Sequence, residues 1–145
     1  MGNRAVITTK ENFENNGIGI YVHYNGGRDS IKAFLTYCNL RGFRKPEEDS
    51  YGWARLVQVI ANFMGGDGLS VGVDTVNRLD CDNWDNGVYL IENWDIVGRK
   101  YFTGTEQDAH DLAGMLHAIN DAQPADQQIE NEALDKMVAE LKKGA

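Results

Sequence analysis

The apolar residues of this chain repeat in blocks of two different periods, and the order of those blocks constrains the fold more than any other feature. Gly17 to Tyr24 alternates, with Ile18, Ile20, Val22 and Tyr24 on one face and Gly19, Tyr21 and His23 on the other, which is the period of a strand. Arg4 to Thr9 is short, rich in β-branched residues and reads as another. At Asn25-Gly26-Gly27 the period changes. Behind a cap at Asp29 or Ser30, Ile31, Phe34, Leu35 and Cys38 follow helical spacing, with Gly42 as the stop. Pro46 and Glu47-Glu48-Asp49-Ser50 open a second helix with the stripe Trp53, Leu56, Val57, Ile60, Phe63 and Met64, ended by Gly65-Gly66. Leu69 to Val76 is a predicted strand, and Val88 to Glu92 with Ile96 to Phe102 a predicted hairpin turning at Asn93-Trp94-Asp95. Thr105 is expected to cap a helix carrying Leu112, Met115, Leu116 and Ile119, closed by Pro124. A last helix from about Asp126 turns Leu134, Met137, Val138 and Leu141 inward, with Lys142-Lys143 at its end as the helix dipole prefers.

The order is therefore ββ-αα-βββ-αα. Strands in runs followed by helices in runs, without strict alternation, predict an α+β domain: a largely antiparallel sheet of about five strands with four helices packed on it. A doubly wound parallel sheet is the alternative. The 145 residues make one domain, 1–145, long enough for a single buried core. The stripe on the second helix predicts that this helix is the most buried. Asn83-Trp84-Asp85 echoes Asn93-Trp94-Asp95, but the flanking residues differ and no internal repeat is present.

Charge is distributed unevenly. Residues 1–45 hold seven Lys/Arg against three Asp/Glu, whereas the remainder holds seven against nineteen, for a net charge of -8. Direct DNA binding is disfavoured, because counterion release along phosphates needs basic residues. The two cysteines, Cys38 and Cys81, form neither a disulfide framework nor a clustered zinc motif. No stretch approaches a membrane span and the start lacks the apolar core of a signal peptide. The expected compartment is the cytoplasm, with no membrane partner.

The best candidate site is the turn His23-Tyr24-Asn25-Gly26-Gly27-Arg28-Asp29-Ser30, which leaves a strand and enters a helix. Glycines let backbone N–H groups approach an anion, the helix N-terminus is partly positive, and Arg28 and Ser30 add a charge and a hydroxyl. Tyr21 and Tyr24 are placed to stack a base. The expected ligand-binding set is Tyr21, His23, Tyr24, Asn25, Gly26, Gly27, Arg28 and Ser30. The turn lacks the GxxxxGK[ST] and GxGxxG patterns, and Gly with an Asp or Ser cap also serves purely structural turns. The second candidate is the acidic loop Asp80-Cys81-Asp82-Asn83-Trp84-Asp85-Asn86-Gly87, oxygen-rich enough for a divalent cation but without EF-hand spacing. The favoured role of Asp85-Asn86-Gly87 is to turn the chain into the hairpin while the other acids face water, with Trp84 and Trp94 covering the edge of the core.

Catalytic motifs are sparse. His23, His110 and His117 form no HExxH, Cys81 sits between two aspartates that disfavour its thiolate, and Cys38 falls on a core stripe. No GxSxG elbow or SxxK pair occurs. No catalytic residue, metal ligand or cofactor is expected, and a binding module is expected before an enzyme.

The segments Gly2-Asn3-Arg4-Ala5-Val6-Ile7-Thr8, Asn16 to His23 and Asn25-Gly26-Gly27, with Tyr51-Gly52-Trp53-Ala54-Arg55 and Asp80 to Tyr89, resemble a family of short accessory proteins carried by phages and other bacterial mobile elements. The resemblance covers about residues 2–100 and carries over no catalytic residue. It implies a protein that counteracts a host defence system in the bacterial cytosol. The expected partners are a phosphate-bearing nucleotide or other anionic small molecule, which the protein sequesters, or a host defence protein; a homo-oligomer is compatible with both. The alternatives are a protein-binding inhibitor, including acidic DNA mimicry, and a small metal-dependent enzyme using the Asp80–Asp85 loop.

Overall fold

The computed structural model describes residues 2–65, 70–106 and 111–143. Its strands are β1 (Ala5–Thr8), β2 (Ile18–Val22), β3 (Val71–Thr75), β4 (Val88–Glu92) and β5 (Asp95–Lys100). Its helices are α1 (Lys10–Asn15), α2 (Arg28–Leu40), α3 (Ser50–Phe63), α4 (Leu112–Ala122) and α5 (Asn131–Lys143), with single 3-10 turns at Val76–Arg78 and Ala125–Gln127. The architecture is α+β. The five-stranded sheet runs β3-β2-β1-β4-β5. Its pairings are antiparallel except that of β1 with β4, which is parallel with Val6 opposite Val88.

β1 lies at the centre and all four of its residues are buried, because both faces of the sheet are covered. On one face Ala5, Ile7, Ile20, Val22, Tyr89 and Ile91 join the main core with the apolar sides of α2, α3 and α4. On the other, Val6, Val88 and Leu90 form a smaller core with Phe13 of α1 and with Tyr21, Leu79 and Cys81. The segment joining β3 to β4 thus crosses the second face, which delivers β4 parallel to β1.

The differences from the sequence expectation have local causes. α1 escapes periodicity because it is six residues long with no buried residue; the Thr9 side chain caps it by accepting from the Asn12 N–H, and Asn16 ends it at φ 55°. The start of α2 is capped by Gly27 rather than by Asp29 or Ser30, and α3 by Asp49, whose carboxylate accepts the Tyr51 N–H. α4 is capped by Asp111 through the Gly114 N–H at 2.9 Å, and not by Thr105. After Pro124 a 3-10 turn precedes α5, so the last helix starts later than Asp126. Leu69, placed at the start of β3 by its sequence, lies outside the described residues.

The most buried helix is α2, not α3: Ile31, Ala33, Phe34, Leu35, Tyr37 and Cys38 are all buried, since α2 is wedged between the sheet, α3 and α4. The Tyr37 hydroxyl donates to Asn120 Oδ1 at 2.7 Å, while Asn120 also holds both backbone groups of Ile129. A buried amide is stable only when so satisfied. At the β4–β5 hairpin both turn residues, Asn93 and Trp94, have positive φ, 53° and 60°, the two-residue type I′ arrangement. A tryptophan tolerates it here because its ring is buried and its indole N–H donates to the Phe43 carbonyl at 2.9 Å.

Phe34 is completely buried and meets Phe63 edge-on at 5.4 Å. Phe34→Ala is expected to lower unfolding free energy by about 3–5 kcal/mol, read as a shifted midpoint at unchanged slope in urea denaturation.

Candidate functional site

Gly26 fixes the approach of α2 to the sheet. It is buried; its N–H donates to the Asn3 carbonyl at 2.8 Å and its carbonyl accepts the Tyr89 hydroxyl at 2.7 Å. A Cβ at this position would stand 2.4 Å from the Asn3 carbonyl oxygen, so only glycine lets the chain pass β1 so closely. Both polar groups of Gly26 are therefore spent inside the protein and neither faces a ligand, contrary to the reading of this glycine as an anion donor. Gly27 is half-buried as the N-cap, and having no side chain it supplies no cap acceptor to the first amides of α2.

That placement leaves a cavity of about 580 Å³ between the start of α2 and the end of β5. Arg28 enters it from α2, and Arg99 from β5, where it sits directly opposite Tyr89 on β4. The Arg99 guanidinium lies between two aromatic faces, 3.9 Å from the Tyr89 ring centroid and 3.8 Å from that of Phe102. Its Nη2 donates to the Asn86 carbonyl at 2.6 Å, and its buried Nε has no partner among the described residues. Both arginines converge on one carboxylate: Arg28 Nη1 is 2.5 Å from Glu106 Oε2, and Arg99 Nη1 reaches Glu106 Oε1.

Burial sets the protonation of this wall. The Tyr89 phenol is pushed up to about 12, by burial first, with Arg99 opposing, so it remains a donor to Gly26 in ordinary solution. Burial lowers the Arg99 guanidinium from its usual value, against the pull of Tyr89 and Glu106; a guanidinium still stays charged near neutrality. What the arrangement offers chemically is a fixed pair of cations aimed at one oxyanion, with aromatic walls behind the deeper one.

Of the residues expected from the sequence, Gly27 and Arg28 line the cavity. Tyr21 packs in the small core on the sheet face away from α2 and shares a 2.8 Å hydrogen bond with His23 Nδ1. Tyr24 is exposed and meets His23 edge-on at 4.7 Å. Asn25 turns at φ 58°, with its amide 3.5 Å from the Ser30 hydroxyl. Tyr21, His23, Tyr24, Asn25 and Ser30 thus build the turn without lining the cavity beside Arg28.

The acidic loop is organised from within. Asn83 is fully buried: its amide donates to the Asp80 and Gly87 carbonyls and its carbonyl accepts the Asp85 and Gly87 N–H groups. Asp85 lies 2.8 Å and Asp80 3.6 Å from the Arg4 guanidinium. The Arg4 side chain, followed by its backbone N–H, holds the Asp85 carboxyl below the usual carboxylate range. These contacts tie the loop to β1, and among the described residues no three His, Cys, Asp or Glu side chains come together as metal ligands. Trp94 covers the core edge as expected, but Trp84 is 90% exposed and does not.

Cys38 is buried, and burial pushes its thiol up; Cys81 is raised by burial and by Asp80. His117 pairs with Asp135 at 2.7 Å between α4 and α5. His110 lies outside the described residues. Sequence reasoning missed Tyr89, Arg99, Phe102 and Glu106. The hairpin register, which sets Arg99 opposite Tyr89, was the usable signal for the first two.

No protein-family model, curated protein or solved structure matches this chain.

Gly26→Ala is expected to destabilise the fold by about 1–3 kcal/mol through overpacking. At Gly27 the nearest atom to an added Cβ is Asp29 Oδ1 at 3.3 Å, so Gly27→Ala should unfold close to the wild-type midpoint. Parallel chemical denaturation of the two variants checks the contrast.

Proposed function

We propose that this chain is a non-enzymatic binding protein that holds a phosphate-bearing nucleotide, or a related anionic small molecule, in the Arg28–Arg99 cavity. As a phage or mobile-element accessory protein it would withdraw such a signal from a host defence system. The observation that carries the reading is the convergence of Arg28 and Arg99 on a single carboxylate in a cavity of ligand size. Two guanidiniums aimed at one oxyanion are the means by which proteins recognise phosphate. Glu106 marks the position that a ligand oxyanion takes.

Binding rather than turnover suits the wall of this cavity. Tyr89 is committed to Gly26, Asp29 accepts the Ser30 N–H at 3.0 Å, and Glu106 is held by both arginines.

A charge-assisted hydrogen bond is worth about 1.5–3 kcal/mol, so Arg28→Ala should weaken nucleotide binding by about 10- to 100-fold. Arg28 is partly exposed and outside the main core, so the variant should melt near the wild type. Calorimetric titration with mono-, di- and cyclic nucleotides measures it. No heat or thermal shift with any of them removes the reading.

One observation favours a protein-binding inhibitor instead. Trp84 is 90% exposed, at φ 66°, on the loop that Asn83 holds rigid. Exposed tryptophans are frequent anchors of interfaces. Under that reading Trp84→Ala abolishes capture of a defence protein while Arg28→Ala leaves it intact.

A further inference from the structure

We propose that Glu106 is a tethered internal anion that occupies the cavity until a ligand ending in a phosphate monoester displaces it; this rests on the nucleotide-binding reading above. Glu106 gives one carboxylate oxygen to each arginine, Oε2 to Arg28 and Oε1 to Arg99. A carboxylate has no third oxygen to offer to a further group on the cavity wall. Its side chain is 41% exposed, and its backbone belongs to no helix or strand. Rotation into water therefore uncovers only a half-buried side chain, and what chiefly holds Glu106 in place is the pair of ion pairs. A tethered group competes at an effective concentration in the millimolar range.

That competition sets the ligand class. A singly charged carboxylate or phosphodiester replaces Glu106 like for like, with the same charge and two free oxygens, and gains nothing to offset the tether. A terminal phosphate monoester carries between one and a half and two negative charges near neutral pH and presents three oxygens. Two of them match the positions of Oε1 and Oε2. The third meets the start of α2, where Gly27 provides no side-chain acceptor and the Ser30 N–H is already taken by Asp29; the Arg28 and Asp29 amides are the donors left for it. Arg28, Arg99 and Asp29 together leave a positive balance once Glu106 withdraws, and the more highly charged ligand draws more from it.

The test is calorimetric titration of wild type and Glu106→Gln with a nucleoside 5′-monophosphate, its 3′,5′-cyclic counterpart and ribose 5-phosphate. The first pair differs in the phosphate's charge and in its free oxygens while sharing base and sugar. If the site is open in about one molecule in ten, removing the competitor tightens binding about tenfold. The expected result is therefore a gain of that size in Glu106→Gln for each phosphate ligand, with the 5′-monophosphate preferred over the cyclic one by about tenfold or more in both proteins. Equal binding of ribose 5-phosphate supports the same inference and shows that the base contributes nothing. Unchanged or weaker binding in a Glu106→Gln protein that melts normally overturns it, making Glu106 a clamp on the chain rather than a competitor. If the Gln variant does not fold, Glu106→Asp, which shortens the reach to the arginines, must show the same gain or the inference falls. Equal affinity for the cyclic nucleotide overturns the ligand class while leaving nucleotide binding in place. No binding of any probe to either protein overturns both readings.

Discussion

The hydrogen bond from the Tyr89 hydroxyl to the Gly26 carbonyl, 2.7 Å long and buried, fixes the relation between the sheet and the helix that begins just after it. Gly26 also receives β1 closely on its other side through the Asn3 carbonyl, so the chain entering α2 is held against two strands at once. Because burial pushes the Tyr89 phenol up to about 12, this donor persists through the whole neutral range. The same ring supplies a face to the Arg99 guanidinium at 3.9 Å. One residue therefore orients both cations of the cavity: Arg28 by anchoring the turn before it, and Arg99 by stacking.

Burying Arg99 is costly, and the surroundings show how the cost is met. Its side chain is 12% exposed, and a guanidinium in such a place needs partners for its donors. Two rings, the Asn86 carbonyl and Glu106 provide them, while Nε goes without a partner among the described residues. An incompletely satisfied buried cation remains a strong attractor for an anion. The mixed sheet makes this possible: β4 runs parallel to β1 while β2 and β5 run antiparallel to them, so Arg99 near the end of β5 arrives at the same end of the strands as the start of α2.

The sequence made the regular elements legible wherever burial imposed a period. The stripes of α2 and α3, the alternation of β2 and the hairpin at Asn93-Trp94 all follow from one-sided or two-sided packing. Where structure depends on a single side chain, the signal vanishes. α1 rests on a Thr9 cap and has no apolar stripe, and Thr105 and Asp111 are equally good caps until packing chooses between them. The site was half legible for the same reason. Gly27 and Arg28 lie beside the strand-to-helix turn and could be found locally. Arg99 and Glu106 come from more than seventy positions away, and the two-glycine turn hides that Gly26 packs against β1 whereas Gly27 lines the cavity. Tyr21 illustrates a different failure: alternation put it on the face opposite Ile20 and Val22, but nothing local shows that the face of Ile20 is the one α2 covers.

A net charge of -8 argues against an anion site only if distant charges reach it, and the range of the interactions decides otherwise. At physiological ionic strength the Debye length is about 8 Å, so exposed acids elsewhere on the surface barely register at the cavity. The groups that matter are those within the cavity wall: Arg28 and Arg99 against Asp29 and Glu106. Among these, Asp29 is engaged by the Ser30 amide, which leaves Glu106 as the acid whose position can change the local balance. The distant acids act on encounter instead. They repel a diffusing polyanion such as DNA along its length, whereas a small ligand with one terminal phosphate, once past the screening distance, feels the two arginines. On the proposed reading, an overall field that disfavours nucleic acid is therefore compatible with a local one that favours a nucleotide.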